Sequence, residues 1–150
     1  MHEDSDQGLF KELLYIDGDW RPSISGETFE VFNPATGERL AEVQSANKED
    51  TKLAIEAANN AFTSWRNTTA KERSKLLRKW FELIIEYRDM LARIITEEQG
   101  KPLGEALAEV DYGASYIEWF AEEAKRIYGD IVPSNRGDTR LLSLKQPVGV

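Results

Sequence analysis

The feature that most constrains the fold is a helical pattern across the middle of the chain, from residue 47 to residue 128. Apolar side chains recur there at steps of three and four residues, the period of an amphipathic helix. Start signals divide the pattern, because Asn47 with Asp50 and Thr69 with Glu72 have the spacing of capping boxes. We therefore predict three helices, which run from Asn47, from Thr69 to about Gln99, and from about Leu103 to Tyr128.

Two short hairpins are predicted before the helices. Residues 13–23 contain the turn pair Asp17-Gly18 between two extended stretches. Residues 28–43 contain Pro34 and Gly37, which suit a type I turn between two strands. The remaining segments are predicted to be a flexible tail at 1–8, a loop at 129–139 and an extended strand at 140–150.

Composition argues against several classes of function. The 150 residues are enough for one domain, and a net charge of -8 without a basic stripe disfavours a nucleic-acid partner. The sequence has no cysteine, so these residues hold no disulfide, no thiolate metal site and no cysteine nucleophile. His2 is the only histidine, and we predict no metal site. The polar, acidic first ten residues and the lack of a long apolar run predict a cytoplasmic protein with no membrane partner.

The connector "EQGKPLGE" at 98–105 resembles a phosphate loop only in its glycines and lysine. The Walker spacing is absent, and no G-x-G-x-x-G occurs anywhere in the sequence. We therefore interpret it as a helix-to-helix connector and predict no cofactor-binding residue in this chain.

The third predicted helix carries a broad band of aromatic side chains. Tyr112, Tyr116, Trp119 and Phe120 fall on one side of it at 100° per residue. Such stripes belong to a core more often than to a ligand site, so we predict burial between other elements. Glu123 projects between the tyrosines, and it either reaches water near the helix end or pairs with a basic group outside these residues.

Several blocks resemble the aldehyde dehydrogenase family in their order and spacing. They are "YIDGDW", "FNPATGE", "SWRNTTAKERSKLLRKW", "TEEQGKPLGEA", "IEWFAEEAKRIYGD" and "KQPVGV". The pair "EQGKPLGEA" and "YIEWFAEEAKRIYGD" is most similar to the succinate-semialdehyde dehydrogenase branch. The resemblance implies an α/β fold, with residues 9–128 as the amino-terminal part of the cofactor-binding domain, 140–150 as the start of an oligomerisation arm, and the catalytic domain absent.

The resemblance also implies the function of a longer enzyme. Such an enzyme oxidises succinate semialdehyde or a similar semialdehyde to the acid with NAD or NADP, as a homodimer or homotetramer. The family's catalytic and cofactor-binding residues have no counterpart in these residues, so the chain alone is expected to be inactive and to bind no cofactor. The positions of Tyr112 and Tyr116 match the wall of the family's substrate tunnel. The alternative is a non-catalytic helical interaction module derived from that family.

Overall fold

The computed structural model describes residues 8–150 as four α-helices and three two-stranded antiparallel sheets. The elements are β1 (Leu14–Ile16), β2 (Asp19–Arg21), β3 (Thr28–Phe32), β4 (Arg39–Gln44), α1 (Lys48–Trp65), α2 (Ala70–Glu86), α3 (Arg88–Gln99), α4 (Leu103–Glu123), β5 (Asp130–Val132) and β6 (Leu141–Ser143). The predicted tail at 1–8 lies outside the described residues except for Gly8. Across residues 8–150, no helix is both long and apolar enough to cross a membrane.

The hairpin β1–β2 turns at the predicted Asp17-Gly18 pair. Both residues have positive φ angles, 56° for Asp17 and 87° for Gly18, as a two-residue type I′ turn requires. The cross-strand rings of Tyr15 and Trp20 pack with centroids 5.1 Å apart. The first predicted hairpin is therefore confirmed.

The hairpin β3–β4 is also confirmed, but its turn is longer than predicted. The Gly37 N–H donates to the Asn33 carbonyl, four residues earlier, at 2.8 Å. The Asn33 side chain also accepts the Ala35 N–H at 2.9 Å. This extra side-chain acceptor stabilises a wider turn than the type I turn expected at Pro34.

A buried carboxylate connects the hairpin region to the first helix. Asp50 is 1% exposed, and its two oxygens accept the N–H groups of Ile24 and Asn47, each at 3.0 Å. The Asn47 side chain in turn accepts the Asp50 N–H at 3.0 Å. The predicted capping box is confirmed, and it also holds the loop after β2 against the start of α1.

The helical core is built from small side chains, which let α2 and α3 both pack against α4. Alanine presents little bulk beyond the backbone, so helices that meet at alanines approach closely. The fully or nearly buried apolar residues of these helices are Ala92, Ala106, Val110, Ala114 and Ala121.

The prediction of one continuous helix from Thr69 to Gln99 is wrong, because the chain bends at Tyr87. Tyr87 has φ -98° and ψ 15°, and it separates α2 from α3. Arg88 then bonds the carboxylate of Asp111 in α4 through two contacts of 2.5 and 2.6 Å. No glycine or proline marks the bend, so apolar periodicity alone could not reveal it. The predicted capping box of Thr69 with Glu72 is confirmed at the start of α2.

The prediction that the third helix reaches Tyr128 is also wrong. The helix, α4, ends at Glu123, and the N–H of Ala124 makes its closing bond to the Phe120 carbonyl at 2.9 Å. Beyond this point the backbone N–H of Arg126 donates to the Glu123 carbonyl at 2.8 Å and forms a short turn. The chain can then enter a strand instead of continuing as a helix.

Residues 129–139 are not entirely loop, because they contain β5, which pairs with β6. Ile131 lies opposite Leu142, so the predicted strand at 140–150 finds a partner within the chain, and only its part at Leu141–Ser143 is a strand. Gly129 is essential to this approach, because a Cβ there would lie 2.0 Å from the Ser143 carbonyl oxygen.

Candidate functional site

An open groove of about 610 Å³ runs along one side of α4. Its aromatic side chains come from positions that recur every three or four residues, so the helix presents them together. The lining residues are Tyr112, Ser115, Tyr116, Glu118, Trp119, Phe120 and Glu122.

The two tyrosines predicted as site residues lie side by side in this groove. Their hydroxyl oxygens are 2.5 Å apart, and their rings meet edge to face at 87° with centroids 5.0 Å apart. The bond to Tyr112, with a smaller effect of desolvation, raises the pKa of Tyr116 above its usual value. Tyr116 is therefore uncharged at neutral pH, and the pair places two hydroxyl groups beside the apolar rings of the groove.

The prediction that Trp119 and Phe120 are core residues is wrong for this chain. Trp119 is 64% exposed and Phe120 is 56% exposed. The buried face of α4 is instead its small-residue face, which already meets α2 and α3. Ala106, Val110 and Ala114 are spaced by four residues, which places them on one face of the helix. The prediction assigned the buried face to the larger aromatic side chains and overlooked this spacing.

Two acidic residues on one flank of the groove pair with a single cation from α2. Arg78 contacts Glu118 at 2.8 Å and Glu122 at 3.3 Å. The hydrogen bond to Glu118 is the main reason that the pKa of Arg78 is raised. This pairing joins α2 to α4 beside the aromatic side chains, and it was not visible from sequence spacing.

Glu123 has the first of the two environments considered from the sequence, because it is the last residue of α4 and its side chain is 42% exposed to solvent. It is half-buried and pairs with Arg126 of the same chain at 2.9 Å. Glu122, the neighbouring carboxylate, bonds Arg78 of α2 instead. Glu123 therefore needs no basic group from outside the described residues.

Residues 8–150 contain no group of three or more side chains that could hold a metal ion. Gly100 ends α3 in a left-handed conformation, and Lys101 forms an ion pair with Glu109. The connector 98–105 therefore lies between two helices, as predicted. We derive no catalytic step from these residues.

A second concavity, of about 830 Å³, was not foreseen from the sequence. It lies between the corner of α1 and α2 and residues 145–150, with Phe62 and Trp65 on its wall. The apolar residues of α1 were visible in the sequence, but the placement of residues 145–150 against that helix depends on tertiary structure.

Comparison with known proteins identifies the family. The aldehyde dehydrogenase family model matches residues 20–150. The chain is 55% identical over 145 residues to glutarate-semialdehyde dehydrogenase of Pseudomonas putida, covering 97% of this chain and 30% of the relative. It is 51% identical over 146 residues to the NADP(+) succinate-semialdehyde dehydrogenase of Escherichia coli, with the same two coverages.

Solved structures agree with the sequence comparison. A crystal structure of an aldehyde dehydrogenase from Brucella melitensis biovar abortus superposes with a TM-score of 0.91 at 47% identity, covering 95% of this chain and 29% of that one. The chain thus spans about 30% of the length of the curated relatives that it matches. With its family sequence pattern and its fold both matched, the chain belongs to the aldehyde dehydrogenase family.

Proposed function

We propose that the chain is the amino-terminal segment of an NAD(P)-dependent aldehyde dehydrogenase that oxidises succinate semialdehyde or a similar semialdehyde to the acid. The names of the two relatives support this substrate class, because each names an aldehyde that carries an acid group. In such an enzyme the nicotinamide cofactor supplies the hydride acceptor. The 150 residues include no cysteine, so the thiol nucleophile of the proposed enzyme comes from another part of it.

The observation that carries the proposal is the aromatic groove on α4. Tyr112 and Tyr116 stand next to each other there, and they are 63% and 51% exposed. We propose that they form part of the wall of the substrate tunnel. An apolar wall with a few polar groups is the usual lining of a small-molecule site, since it desolvates the ligand and orients it.

We propose that the β5–β6 hairpin begins the oligomerisation arm of a homodimer or homotetramer. Apolar side chains project from this hairpin into solvent, with Ile131 78% exposed, Leu142 67% and Leu144 76%. Exposed apolar side chains on a two-stranded ribbon favour contact with a further surface.

The proposal is tested on the protein encoded by the complete reading frame. Expressed and purified, it should reduce NAD or NADP when succinate semialdehyde or glutarate semialdehyde is added, as followed by cofactor absorbance. The 150-residue chain, assayed in parallel, should produce no reduced cofactor.

Two results would contradict the proposal. The first is a complete protein that reduces neither cofactor with either semialdehyde. The second is a stop codon directly after Val150 together with a folded, monomeric product, which would favour the interaction module.

A further inference from the structure

We draw no further inference here: the strongest candidate, the concavity between the corner of α1 and α2 and residues 145–150, carries none, because Arg66 and Arg73 on its wall already contact Phe62 and the Thr68 carbonyl, and nothing in the structure shows what covers its apolar side chains.

Discussion

Replacing Ser74 by alanine tests how α2 secures the end of α4. The Ser74 hydroxyl donates to the Ala121 carbonyl at 2.5 Å, and both residues are buried, at 9% and 2% exposure. Ala121 lies in the last turn of α4. In a continuing α-helix its carbonyl would accept the N–H of Lys125, but that N–H bonds the Glu122 carbonyl. The substitution therefore leaves a buried carbonyl without its side-chain donor. The expected cost is about 2 kcal/mol, the range for a buried polar group that loses its partner.

Hydrogen–deuterium exchange measures this cost where it arises. A loss of about 2 kcal/mol in local stability corresponds to roughly 30-fold faster exchange through local opening. The increase should appear in peptides that cover the last turn of α4 and the facing turn of α2. Ser115→Ala is a matched control on the same helix, because Ser115 bonds the Tyr112 carbonyl at an exposed position. Water can replace that exposed bond, so exchange should change less than about threefold.

The reasoning fails if the two variants behave alike. Equal exchange rates in Ser74→Ala and wild type would mean that the Ala121 carbonyl finds another partner or that the contact adds nothing. An increase spread evenly over all helices would indicate global destabilisation rather than the loss of one contact between α2 and α4.

Two further predictions concern contacts that are distant in sequence. Gly129→Ala should separate β5 from β6, because the added Cβ would lie 2.0 Å from the Ser143 carbonyl oxygen, whereas Gly137→Ala has open space; exchange in peptides covering 130–143 should rise only in the first variant, and equal rates would contradict the close approach. Arg88 lowers the pKa of Asp111 through hydrogen bonds, so this pair should contribute stability above the unfolded pKa and lose it as pH falls through the folded value, below about pH 4. Thermal unfolding of Asp111→Asn should show a weaker loss of stability across that acid range than wild type, and an identical pH profile would count against the pair.

Local signals in the sequence identified much of the secondary structure. The capping boxes that begin at Asn47 and Thr69 and the Asp17-Gly18 turn are all confirmed. Each of these signals acts within four residues, so the chain determines it without help from distant segments. Family blocks spread along the chain also identified the aldehyde dehydrogenase family, because their order and spacing are properties of the sequence alone.

Local signals could not show whether the aromatic band of α4 is buried or exposed. Helical spacing places Tyr112, Tyr116 and Trp119 on one side, and the same spacing is typical of a buried face. The helix instead buries its alanine face, because small side chains allow α2 and α3 to approach. The neighbouring helices determine which of the two apolar faces is buried, and the sequence of one helix does not specify how its neighbours pack.

What the sequence determined by itself was therefore the family, the order of hairpins and helices, and the positions where most of them begin. Tertiary structure alone decided the bend at Tyr87, the end of α4 at Glu123, the pairing of β5 with β6, and the bonds from Arg78 and Ser74 to α4. The physical reason is the range of the interactions. Caps and turns are satisfied by neighbours in the chain, whereas these features depend on groups that only folding brings within bonding distance.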